Sequence, residues 1–126
     1  MNMKNYPKIA DTEWQVMNVL WTRSPLTATE IIKIVLEKNN WSPKTIHTLI
    51  SRLVKKGAIK VTKEAPFREY TPDVSQDELR NFETKSFIER IYKGSLQLML
   101  SSFIKEENLT AAEMKELEEI LMSKSK

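Results

Sequence analysis

Residues 41–57, WSPKTIHTLISRLVKKG, constrain the fold strongly, because they specify the beginning, the two sides and the end of one helix. Ser42 is a favoured N-cap residue, and Pro43 fits the first helical position, where a missing N–H costs nothing. Gly57 stands where a helix C-cap favours glycine. At about 100° per residue the apolar side chains share one arc of about 140°, which predicts one buried side. These side chains are Ile46, Leu49, Ile50, Leu53 and Val54.

The opposite side of this helix is entirely polar. It consists of cations, hydroxyls and one histidine, namely Lys44, Thr45, His47, Thr48, Ser51, Arg52 and Lys55. A solvated helix face usually mixes Glu with Lys, whereas the chain between Glu37 and Glu64 has no acidic residue and seven Lys or Arg. Short hydroxyl side chains between the bases also let a helix approach the base edges of DNA. The pattern therefore favours a DNA recognition helix over a solvated face.

Two further helices are predicted before this one. The first covers about residues 11–21, where apolar side chains recur at helical spacing. The second covers about residues 27–37 and begins with the capping box Thr27-Ala28-Thr29-Glu30. Three helices in this order are the helical part of a winged helix-turn-helix domain.

A β-hairpin is predicted after the third helix, over residues 58–71 with a turn at 64–66. This hairpin would be the wing, and we expect the winged-helix domain to cover residues 1–72. The wing residues predicted to contact phosphates are Lys60, Lys63 and Arg68.

The charge of the chain changes sign after Pro72. Residues 1–72 hold 12 Lys or Arg and 6 Asp or Glu, a net charge of +6. Residues 73–126 hold 8 and 11, a net charge of −3. A basic first part suits a polyanionic partner, so the acidic second part must have another role.

Three more helices are predicted, over about residues 76–93, 95–105 and 111–122, and their apolar surface is too large for residues 73–126 to bury alone. A second copy of the chain is the simplest partner that could bury this surface, so we expect a homodimer. The other interpretation is that these helices pack back on the first domain. The predicted dimerisation side chains are Leu79, Phe82, Ile88, Ile91, Tyr92, Leu96, Met99, Leu100, Phe103, Leu117 and Leu121. The expected fold is mainly α with a small β-hairpin wing: an N-terminal winged helix-turn-helix followed by a C-terminal helical dimerisation domain.

The composition argues against several classes of protein. With no cysteine and one histidine, the chain is short of ligands for a transition metal, so we expect no metal site and no cofactor. No glycine-rich phosphate loop or catalytic constellation occurs, so we expect no enzyme. No apolar run is long enough to cross a bilayer, and the first residues lack the apolar core of a secretory signal. We therefore expect a cytoplasmic protein without membrane insertion.

Four segments are typical of one known family: ADTEWQVM at residues 10–17, WSPKTI at 41–46, TLISRLVKKG at 48–57 and IYKG at 91–94. Through these segments the sequence resembles the penicillinase repressor (BlaI/MecI) family over nearly its whole length. The resemblance implies a dimeric winged-helix repressor of β-lactamase or penicillin-binding-protein genes that binds inverted-repeat operators, including that of its own operon. It also implies DNA contacts by Lys44, Thr45, His47, Thr48 and Arg52.

In this family a membrane-spanning β-lactam sensor with a zinc metallopeptidase domain leads to cleavage of the repressor. The resemblance places the scissile bond between Ser102 and Phe103, with Ser102 where the best-known members have Asn. It also shows His47 where members often have Arg; a protonated His47 on a phosphate would strengthen DNA binding at lower pH. Two other interpretations stay open: a small-molecule-responsive winged-helix regulator, and a protein-interaction module that binds no DNA.

Overall fold

The computed structural model describes residues 6–106 and 108–124. In chain order its elements are α1 Asp11–Thr22, β1 Leu26–Thr27, α2 Ala28–Leu36, α3 Pro43–Lys56, β2 Ile59–Lys63, β3 Glu69–Pro72, α4 Gln76–Tyr92, α5 Leu96–Glu106 and α6 Ala111–Lys124. They form two compact units, Met1–Phe82 and Glu83–Lys126, and the boundary between these units lies within α4. Among the described residues, no helix is long and apolar enough to cross a membrane. Nor does any group of three or more His, Cys, Asp or Glu side chains in these ranges have a geometry that could hold a metal ion.

The predicted helix caps of the first unit are confirmed. The Thr27 hydroxyl accepts from the Glu30 N–H at 3.2 Å, and the Glu30 carboxylate accepts from the Thr27 N–H at 2.9 Å. The Thr27 hydroxyl also donates to the Glu30 carboxylate at 3.0 Å. The two hydrogen bonds that the carboxylate accepts, the one from the Thr27 backbone first, lower the pKa of Glu30. At α3 the Ser42 hydroxyl accepts from the Thr45 N–H at 3.1 Å. Gly57 ends α3 in the left-handed region at φ 81°, where a side chain would be strained.

The sheet of the first unit has one strand more than predicted. β2 and β3 form the expected antiparallel hairpin, with Val61 opposite Tyr70. β1 also pairs with β3, with Leu26 opposite Tyr70, so the strand order is β1-β3-β2. β1 was not predicted, because two residues have no detectable periodicity and their partner strand lies far along the chain. It ties the beginning of α2 to the wing.

The apolar arc of α3 is buried as predicted. The side chains at 5% exposure or less are Ile46, Leu49, Ile50 and Leu53, while Val54 is half-buried at the edge. They pack against α1, α2 and β2. Because this side of α3 is fixed in the core, its opposite side must project from the domain.

Leu79, near the beginning of α4, is a correction to the predicted dimerisation set. Its side chain is fully buried in the core of the first unit, so it offers no surface to a second copy. The segment before α4 is held there too, since the Trp21 Nε1–H donates to the Val74 carbonyl at 3.0 Å. Phe82 also lies in the first unit, where its ring centroid is 5.1 Å from that of Tyr6 and its side chain is 39% exposed. The first unit thus extends beyond Pro72.

The second unit has no fully buried side chain among its described residues. Its exposed large apolar side chains are Phe87, Ile91, Leu96, Leu98, Phe103, Ile104, Met114, Leu117, Ile120, Leu121 and Met122. Half-buried residues of the predicted dimerisation set are Ile88, Tyr92, Met99 and Leu100. Exposed apolar surface on this scale marks an interaction site rather than an ordinary solvated surface.

Candidate nucleic-acid interface

The outward side of α3 carries all seven side chains predicted to face DNA on this helix. All are exposed, and together we call them the α3 outer face: Lys44, Thr45, His47, Thr48, Ser51, Arg52 and Lys55. One shallow, open hollow is lined by six of them: Lys44, His47, Thr48, Ser51, Arg52 and Lys55. The structure therefore brings the predicted residues of α3 together on one accessible surface.

The α3 outer face has the length and charge that DNA binding requires. At 1.5 Å of rise per residue, the line from Lys44 through Thr48 and Ser51 to Lys55 covers about 16 Å of helix axis. No ion pair between described residues involves Lys44, Arg52 or Lys55. Their charges are therefore available to phosphates, which position a protein on a duplex and supply much of its affinity.

The hydroxyl groups near the beginning of α3 have local partners. The Ser42 and Thr45 hydroxyls are hydrogen-bonded at 2.9 Å, and the Thr48 hydroxyl donates to the Lys44 carbonyl at 3.1 Å. Both threonine side chains are thereby drawn close to the helix. Short groups between long cations allow the helix to approach base edges while the cations reach outward.

The predicted wing cations are less free than those of α3. Lys60 Nζ lies 3.5 Å from Asp73 Oδ1, and Arg68 Nε lies 2.9 Å from Glu64 Oε1. The hydrogen bond with Glu64 raises the pKa of Arg68 further, so this guanidinium stays charged. Both pairs are exposed and therefore weak, so a phosphate can replace either carboxylate. Lys63 is exposed and takes part in no ion pair of the described chain.

Lys56 is adjacent to the α3 outer face in sequence but has a structural role. Its ammonium group donates to the Glu13 carboxylate and, at 2.8 Å, to the Lys8 carbonyl. Glu13 is only 1% exposed, and its carboxylate also accepts from the Ala10 N–H at 2.8 Å. The pair joins the end of α3 to the beginning of α1, and sequence reasoning missed it.

A sequence signal for this pair did exist. Glu13 lies on the buried side of α1, together with Val16, Met17 and Leu20. A buried carboxylate requires hydrogen bonds and a cation, so an acidic residue in an apolar stripe predicts a buried partner. The pattern does not identify that partner, which is 43 residues further along the chain.

The chain has clear relatives among known proteins. A family sequence model described as "Penicillinase repressor" matches residues 9–123. The chain belongs to the penicillinase repressor family. The penicillinase repressor of Bacillus licheniformis is 39% identical to it, over 94% of this chain and 93% of the relative. The methicillin resistance regulatory protein MecI of Mammaliicoccus sciuri is 37% identical, over 98% of this chain and 100% of the relative.

Solved structures confirm the fold that the family resemblance predicted. The DNA-binding domain of the repressor BlaI, determined in solution, is 42% identical, with a TM-score of 0.53 over 60% of this chain and 93% of that chain. The same values hold for the monomeric form of Bacillus licheniformis BlaI in complex with the blaP half-operator. The winged-helix part of the chain therefore has the fold of the BlaI DNA-binding domain.

Proposed function

We propose that the chain is a homodimeric transcriptional repressor that binds inverted-repeat operators of β-lactam resistance genes, and of its own operon, in the cytoplasm. The observation that carries this proposal is the α3 outer face, an exposed surface of cations and hydroxyls without a carboxylate. The complex of BlaI with the blaP half-operator supports operator DNA as the class of ligand that we propose for this chain. In the complex α3 lies in the major groove, with Lys60, Lys63 and Arg68 of the wing near phosphates.

The second unit is the proposed dimerisation domain. Eleven large apolar side chains of this unit are exposed, and α5 and α6 contain no buried residue. A second copy would remove this surface from water and present two copies of α3 to the two halves of an inverted repeat. Because the two recognition helices are then linked, operator affinity exceeds that of one unit without any new contact.

Cleavage within the second unit is the proposed means of release, between Ser102 and Phe103. Both residues lie within α5; Ser102 is half-buried and Phe103 is 55% exposed. A peptide bond inside a helix must first leave the helix to be cut, so cleavage requires local opening of α5. Loss of the α5 and α6 contacts would separate the two recognition helices and release the DNA. A small molecule that releases intact repressor is the competing mechanism.

Selection of duplexes from a randomised library, followed by a salt titration, tests the DNA-binding proposal. We expect enrichment of an inverted repeat whose affinity for the chain falls steeply with salt, because each neutralised phosphate adds about 0.9 to the log–log slope. Lys44→Ala should lower affinity for all sequences and reduce the slope by about 0.9 for each half-site. Fluorescence anisotropy over a series of salt concentrations measures both quantities.

Lys115→Ala is the matched control for Lys44→Ala, since it removes the same charge from an exposed position of α6. Its slope and affinity should equal those of the wild type. If no duplex is enriched, or if the salt response of the wild type is flat, the proposal fails.

A further inference from the structure

The hydroxyl hydrogen of Thr48 is already used within α3. Thr48 Oγ1 donates to the Lys44 carbonyl at 3.1 Å, four residues back along the helix. A threonine hydroxyl has a single hydrogen to donate, so in this conformation the side chain has none left for a base. What it can still offer is its Cγ2 methyl group and an oxygen lone pair.

Thr45 differs from Thr48 in this respect. Its Oγ1 is 2.9 Å from the Ser42 hydroxyl, and either oxygen of this pair can be the donor. Since Ser42 also accepts from the Thr45 N–H, its own hydrogen is free to point at Thr45 Oγ1. When Ser42 is the donor of this pair, the hydrogen of Thr45 remains available to a base. The two threonines of the α3 outer face are therefore not equivalent.

Thr48 also occupies the centre of the α3 outer face. Lys44 lies one turn before it, and Ser51 and Arg52 lie about one turn after it, all exposed. Long cations on either side reach outward to phosphates, whereas the short Thr48 side chain stays near the helix surface. At the floor of a major groove, the one group that meets a methyl favourably is the C5 methyl of thymine.

We propose that Thr48 reads a thymine in each half-site through contact between its Cγ2 methyl and the thymine C5 methyl. The inference rests on the proposed function and names the base feature that this position selects. Burial of one methyl group is worth about 0.8 kcal/mol, which corresponds to about fourfold in affinity for each half-site.

Uracil substitution tests this proposal, because uracil differs from thymine only by the C5 methyl. The probe is the duplex selected with the full-length chain, in which each thymine of the half-site is replaced in turn, symmetrically in both halves. Wild type should lose about fourfold per half-site at one thymine position. Thr48→Ser keeps the hydroxyl and loses the methyl, so it should bind the thymine and uracil duplexes equally. Thr48→Val keeps a methyl and loses the hydroxyl, so it should retain the discrimination.

Thr45→Val is the matched control, because it makes the same change at the neighbouring threonine. It should leave unaltered the loss of affinity that uracil causes at the thymine position read by Thr48. The proposal is overturned if no thymine position responds in the wild type, if Thr48→Ser discriminates as the wild type does, or if Thr48→Val does not discriminate. Both Thr48 variants alter an exposed side chain, and their thermal unfolding checks that the fold is intact. Failure to select any duplex would instead overturn the proposed DNA binding, so the two failures are distinct.

Discussion

Two aspartates on the apolar side of α6, Leu117→Asp with Leu121→Asp, are expected to lower affinity for a complete operator by roughly 10²- to 10⁴-fold. Leu117 is 37% exposed and Leu121 is 64% exposed, and they lie one turn apart on one side of the helix. Charge there opposes burial by a second copy, because an unpaired buried carboxylate is costly. The dimer then dissociates, and the winged-helix domain of each separate chain binds one half-site alone.

Lys115→Asp with Glu119→Asp is the control for this variant. It changes the net charge by the same amount but places the aspartates about 160° away around α6. We expect it to remain dimeric in sedimentation experiments and to bind the complete operator as the wild type does. Affinity for an isolated half-operator should be alike in all three proteins. A Leu117→Asp/Leu121→Asp variant that stays dimeric would contradict the proposed interface.

Lys56→Ala is expected to destabilise the first unit by about 2 to 3 kcal/mol, because it leaves the Glu13 carboxylate buried without its cation. Glu13 is 1% exposed, whereas the Lys56 side chain is 34% exposed, so the loss is smaller than for a fully buried pair. For a domain of this size the midpoint of thermal unfolding should fall by roughly 10 to 20 °C. Differential scanning calorimetry measures the shift.

The adjacent lysine provides the comparison. Lys55 is exposed on the α3 outer face, so Lys55→Ala should change the free energy of unfolding by less than about 0.5 kcal/mol and should reduce the salt slope of operator binding. The Lys56→Ala variant, measured at a temperature where it is folded, should have the same salt slope of operator binding as the wild type. Glu13→Gln in the Lys56→Ala background removes the unpaired charge and should recover part of the stability. Equal stability of the two single variants would exclude a stabilising role for the pair.

Local features of the first unit could be predicted because they depend on residues a few positions apart. Ser42, Pro43 and Gly57 act within one turn of a helix end, and the capping box of Thr27 and Glu30 spans four residues. The α3 outer face was predictable for the same reason, since helical periodicity alone separates its seven polar residues from the buried arc. Its exposure is confirmed by the structure, while its contact with DNA stays a prediction.

Features that depend on distant partners were missed. Lys56 and Lys55 look alike in the sequence, yet only Lys56 lies beside the buried carboxylate of Glu13. Leu79 appeared to belong with the other apolar residues of the later helices, but it is buried in the core of the first unit. Two residues, Leu26 and Thr27, became a strand only because β3 lies beside them.

The sequence by itself determined the helices, the boundaries of α3, the polarity of its two sides and the family of the chain. It could do so because helical periodicity, capping and charge are properties of short segments. Only the tertiary structure decided which cations are paired with distant carboxylates and which apolar residues of α4 belong to the first core. Those distinctions depend on the positions of individual atoms, which a pattern of residue types does not specify.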